Sequence, residues 1–140
     1  MIMIEKNFRQ LILIAVMLFS VGYVPAQEKS AIIHFENKKH DFGQINPQKD
    51  SIFTTTFFFE NKGNTPLIIQ KITTSCGCTV PEWTKEVVKS GQKGSIRITF
   101  NPKGYSGKFS KSIFVKSNAE KDVIILRIEG IVKSKKQKHI

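Results

Sequence analysis

The apolar residues of this chain fall on alternate positions, and that constrains its fold more than any other feature. In Ser51–Asn61 (SIFTTTFFFEN) the middle is wholly β-branched and aromatic; Phe57 and Phe59 share one face and Phe58 takes the other. Gly94–Phe100 (GSIRITF) sets Ile96, Ile98 and Phe100 against Arg97 and Thr99. Asp122–Val132 aligns Ile124, Leu126, Ile128 and Val132. A period of two means strands with one buried face, and helical spacing is nearly absent from residue 27 onward.

The remaining segments follow the same rule. Ala31–Glu36 reads as a first strand, and His40–Ile45 as a short extended piece broken at Gly43. Leu67–Thr74 is extended, with a shift of alternation at Lys71-Ile72 that predicts a bulge. Phe109–Ser117 pairs with Asp122–Val132 around Asn118–Lys121. Asn61–Asn64 and Asn101–Gly107 carry turn chemistry. Cys76–Gln92, containing Gly77, Pro81, Trp83 and Gly91, reads as a loop. The sum is about seven short strands. A single sheet would leave one apolar face of each strand wet, so two sheets must pack face to face.

The N-terminus is different. Lys6 and Arg9 precede an unbroken apolar run, Leu11–Phe19, and small and polar residues follow, ending in Val24-Pro25-Ala26. That order is a cleavable secretory signal over residues 1–26, with cleavage after Ala26. The apolar run falls short of the roughly 20 residues a membrane span requires, which sets a retained anchor second. No cysteine lies near the cleavage point for lipid attachment. The expected mature chain is one domain over 27–132 with a basic, disordered tail over 133–140, periplasmic or secreted.

The formal net charge is +11, but its distribution is not the footprint of a nucleic-acid binder. Lysines are scattered or gathered in the tail (Lys133, Lys135, Lys136, Lys138), without an arginine stripe or basic–aromatic interleaving. Solubility, or loose attraction to anionic envelope surfaces, accounts for the charge.

His40-Asp41-Phe42-Gly43, Phe59-Glu60-Asn61-Lys62-Gly63, Leu67-Ile68-Ile69, Ser75-Cys76-Gly77-Cys78 and Gly94–Pro102 follow in fixed order, with Gly107 and Ser117-Asn118 after them. In this series the chain resembles the domain-of-unknown-function family 1573 across about His40–Val132. Its less specific elements resemble the Hydin-type and major-sperm-protein-like immunoglobulin folds. The resemblance implies an all-β, immunoglobulin-like β-sandwich exported to bacterial envelopes, and no known activity.

Chemistry concentrates at Cys76-Gly77-Cys78. In an extended segment both thiols face one side, with Cα atoms near the upper limit of disulfide geometry, roughly 6.8 Å; Gly77 lets the backbone close the gap. A local disulfide is favoured by export, although so small a loop stabilises little and is easily reduced. A soft-metal clip for Cu(I) or zinc is the second reading; it needs further ligands, with His40 as the candidate because His34 lies in a strand and His139 in the tail. Thiol exchange with partner proteins is the third, with Lys71 or Lys85 as the activating cation. In a fourth the two cysteines merely pack.

No catalytic constellation stands out. Ser75 and Ser106 lack a base at motif spacing. Asp41 and His40 are strand neighbours on opposite faces, and Asp41 is expected to accept turn hydrogen bonds. Trp83 is a candidate recognition aromatic beside the cysteine turn, with capping of the sandwich as the alternative. The expectation is therefore an exported, non-enzymatic binding or scaffold module of the envelope without a cofactor, a monomer or weak oligomer, bound to another protein through the Cys76–Trp83 end. The alternative is a thiol-redox or copper/zinc-handling protein.

Overall fold

The computed structural model describes residues 2–19, 22, 25–47 and 51–134. A helix, α1 (Ile2–Phe19), precedes eight strands: β1 (Ile33–Phe35), β2 (Lys39–Ile45), β3 (Phe53–Asn61), β4 (Ile69–Thr74), β5 (Thr79–Trp83), β6 (Lys93–Phe100), β7 (Gly107–Ser117) and β8 (Val123–Val132). They form two four-stranded sheets, in the orders β1-β3-β6-β5 and β2-β8-β7-β4. All pairings are antiparallel except β2 with β8, which is parallel. Consecutive strands β1 and β2 thus lie in different sheets, as do β4 and β5.

Alternation places the core where the sequence pattern puts it. Phe57 and Phe59 are buried, and Phe58 on the opposite face is exposed. Ile96, Ile98 and Phe100 are fully buried, as are Leu126 and Ile128, with Val132 nearly so. Phe100 stacks on Phe109 at 4.5 Å between centroids, which closes the interior at one end, and Phe35 packs on Phe59 at 5.6 Å. Each such buried side chain contributes about 1.5–3 kcal/mol through removal of apolar area from water.

The bulge predicted in β4 is present. Ile69 pairs with Ser117 and Lys71 with the adjacent Lys116, so Gln70 is the extra residue and Ile69 and Ile72 both reach the core. A second irregularity interrupts β2 between Asp41 and Gln44, where Gly43 has φ 65°, a left-handed conformation that glycine adopts without penalty. Asp41 Oδ1 accepts from Gly43 N there at 2.7 Å.

One sequence expectation is corrected. Cys76–Gln92 is not all loop, because Thr79–Trp83 forms edge strand β5 against β6. Pro81 conceals it in the sequence. Asn101 N donates to Cys78 O and Thr84 N to Ser95 O, so residues 78, 80, 82 and 84 turn their backbone groups toward β6. Position 81 faces the free edge, the one side on which a strand tolerates a missing N–H.

The Asn61–Gly63 corner ties the N-terminal segment to the sandwich. Asn61 is fully buried; its Nδ2 donates to Thr65 O (2.8 Å) and Val88 O (3.0 Å), and its Oδ1 accepts from Gly63 N (3.0 Å) and Ile32 N (3.4 Å). A Cβ on Gly63 would overlap the backbone of Ser30, Ala31 and Ile32.

The described side chains of α1 are exposed, including Leu11, Leu13, Val16 and Met17. Among the described residues no helix is long and apolar enough to cross a membrane. Val24 and residues 135–140, where part of the expected cleavage motif and most of the tail lie, are outside the described residues.

Candidate functional site

The chain leaves β4 at Thr74 and crosses to the other sheet, entering β5 at Thr79. Cys76 and Cys78 sit on this crossing and form a disulfide with a Cα–Cα distance of 5.3 Å. The turn at Gly77 brings them inside the normal disulfide range. Polar bonds hold the crossing in place. Thr74 Oγ1 donates to Cys76 O (2.9 Å) or Thr79 O (3.2 Å), Ser75 N donates to Ser112 O (3.0 Å), and Ser112 N donates to Ser75 Oγ (3.1 Å).

Three side chains surround the sulfurs. The hydroxyl of buried Thr79 lies 3.5 Å from Cys76 Sγ and 3.8 Å from Cys78 Sγ. The Tyr105 hydroxyl, from the β6–β7 turn, lies 3.6 Å from Cys78 Sγ. Lys111 Nζ donates to that hydroxyl at 3.2 Å and sits 4.4 Å from the centre of the same ring. Lys111 pairs with buried Ile128 and takes the core-facing parity of β7. It reaches this mouth because β4, the neighbour of β7, ends opposite Ile113.

The candidates read from the sequence are only partly assembled here. His40 is on β2, at the other edge of the β2-β8-β7-β4 sheet, roughly 14 Å across three strand spacings from the end of β4. It packs edge-on against Phe42, so it is not a co-ligand of the cysteines. His34 is exposed on β1, and His139 lies outside the described residues. Among the described residues no three His, Cys, Asp or Glu side chains gather to hold a metal. Trp83 is half-buried and packs on the core, with Lys85 Nζ 3.1 Å over its ring. The cation brought toward Cys78 is Lys111, through Tyr105; neither Lys71 nor Lys85 has that place.

Tyr105, Lys111 and Thr79 were not singled out in the sequence. The only signal was that Tyr105 is the sole tyrosine after residue 26. Nothing local says that residues 78, 105 and 111 meet.

A second feature is the outer face of the β2-β8-β7-β4 sheet. Phe114 and Ile125 are cross-strand partners, Val123 is the next outward residue of β8, and all three are exposed. Lys116 and Lys71, themselves cross-strand partners, flank this apolar group on one side. Arg127, paired with Lys39, flanks it on the other. Farther along is a groove of about 490 Å³ lined by Asp41, Lys108 and Glu129 among others. Its carboxylates are engaged, Asp41 by Gly43 N and Glu129 by Lys39 Nζ at 2.6 Å.

The model of one family, DUF1573, described as a protein of unknown function, matches residues 33–132. The chain belongs to the DUF1573 family. None of the curated proteins matches it. Among solved structures, a protein of unknown function from Porphyromonas gingivalis W83 is similar at 16% identity and TM-score 0.64, over 78% of this chain and 51% of that one. The DUF1573 chain therefore spans about half the length of that relative. The ASH/PapD-like domain 7 of human CEP192 is similar at 15% identity and TM-score 0.61, over 83% and 98% of the two chains. The Escherichia coli chaperone DraB is similar at 15% identity and TM-score 0.50, over 78% and 58%. At these identities the likeness establishes the fold alone: the DUF1573 domain is a PapD-like, immunoglobulin-like sandwich.

Proposed function

We propose that this chain is an exported binding module of the cell envelope, docking an acidic, partly apolar protein surface onto the outer face of its β2-β8-β7-β4 sheet. The observation that carries this reading is the exposed group Phe114, Val123 and Ile125 between Lys71 and Lys116 on one side and Arg127 on the other. Apolar side chains supply burial, and the flanking cations select a partner of opposite charge and orient it. Strand addition, the common mode for such sandwiches, is opposed at all four edges. β1 is three residues long, β5 carries Pro81, and β2 and β4 are interrupted by irregularities. The likeness to DraB, a chaperone, supports protein binding as a fold-level analogy. The leader-like order of the first 26 residues supports export.

A photo-crosslinking residue at position 114, in cells producing the chain at native level, tests the reading. One discrete protein adduct is expected, lost on joint Lys71→Glu and Lys116→Glu substitution and absent when the crosslinker replaces Thr54 on the other sheet. Equal labelling from both positions, or an adduct indifferent to charge reversal, overturns it.

A further inference from the structure

We propose that Cys76–Cys78 is an exchangeable disulfide in which Cys78 is the leaving sulfur, its negative charge received by Tyr105 with Lys111 behind it. The inference is independent of the docking face. Structural need does not explain the bond. It closes a loop between residues two apart, so it restrains the unfolded chain little. The crossing is already held by Thr74, by the Ser75–Ser112 pair and by Asn101 N on Cys78 O.

The surroundings of the two sulfurs are unequal. Cys78 packs against the core cluster, and the Tyr105 hydroxyl is 3.6 Å from its Sγ. A disulfide sulfur has no hydrogen, so the hydroxyl is the donor. Lys111 Nζ donates to the Tyr105 oxygen, which strengthens the O–H as a donor in turn. Among the described residues no carboxylate pairs with Lys111, although it projects from the core-facing side of its strand. A cation and a hydroxyl aimed at one sulfur form a receptor for a thiolate, and a better-stabilised thiolate leaves faster. Attack therefore falls on Cys76.

The co-reactant is a dithiol of a partner protein. Its first thiolate attacks Cys76 Sγ; the S–S bond breaks, and its electron pair leaves on Cys78. The partner's second thiol loses its proton to solvent and, as thiolate, attacks its own sulfur in the mixed disulfide, releasing Cys76 as thiolate. The partner ends as a disulfide, and the pair takes up two electrons and, from solvent, two protons. The reverse sequence oxidises a partner dithiol. Tyr105 touches the reacting sulfur, whereas Lys111 is a positioning residue.

The test uses the oxidised protein with dithiothreitol as the dithiol, followed by acid quench and mass-resolved alkylation. Tyr105→Phe is expected to slow reduction about tenfold, the order expected for one hydrogen bond to a charged group. It should move the equilibrium in a glutathione buffer toward the disulfide by a similar factor. Lys111→Gln should do likewise, with Lys111→Arg restoring most of the rate. Tyr105→Phe keeps the ring that packs on Phe100, and thermal melting of each oxidised variant separates folding from chemistry. Rates and equilibria unchanged in both Tyr105→Phe and Lys111→Gln overturn the proposal. So does a slowing matched by Thr54→Ala on the outer face of β3.

Discussion

Asn61 shows how much of this sandwich rests on one side chain. It is wholly buried, and its amide meets four backbone groups from three stretches of chain. Asn61→Leu preserves approximate volume but strands buried carbonyls and N–H groups, each costing about 1–3 kcal/mol when left without a partner. The expected loss is about 3 kcal/mol, read as a lower urea midpoint at unchanged slope. The sequence announced a turn at Asn61–Asn64 and no more. Turn propensity is local, whereas the partners Ile32 and Val88 are 29 and 27 residues away. The same separation hid Tyr105 and Lys111 from the cysteines they flank. Phe57, Phe58 and Phe59 were legible to the residue because a strand's period is a property of the strand itself.

At the scale of elements, β5 is the instructive case. A proline in a short run argues against a strand, and Thr79–Trp83 is a strand nonetheless because its nitrogen faces the open edge. Long alternating strands such as β6 and β8 were plain from the sequence; an edge strand paired on one side has fewer positions on which to display a period. Pro81 also removes the middle donor from that edge. Pro81→Val should restore it, leaving thermal stability within about 0.5 kcal/mol, as for a surface change, while promoting self-association. Sedimentation velocity would show dimer growing with concentration in the variant and monomer in the parent. A variant that stays monomeric would show that another feature guards the edge.

The molecule as a whole divides between α1 and the sandwich. The described side chains of α1 are exposed, whereas the hydrogen bonds that anchor the N-terminal side begin at Glu28 and Ser30 with Asn64. A chain beginning at Gln27 should therefore melt within about one degree of the full chain, since removing exposed residues changes stability little. If residues 1–26 are a cleaved leader, N-terminal sequencing of the envelope fraction reads Gln27 first. A product beginning at Met1 would assign α1 a retained role. Fold class was legible because all eight strands serve one interior, and seven of them carry recognisable runs. Sheet partition was not, because which sheet a strand joins depends on its crossings and not on its composition.

The parallel pairing of β2 with β8 gives this sandwich a mechanical character. Lys39 lies beside Arg127 and Ile45 beside Val132, so the chain enters β2 at one end of the ribbon and leaves β8 at the other. Tension between the two ends of the domain first peels the three-residue β1, then pulls β2 and β8 lengthwise past each other. Hydrogen bonds loaded in this direction share the force and yield together, whereas those of a hairpin open one at a time. The domain is thereby stiff against tension along the chain.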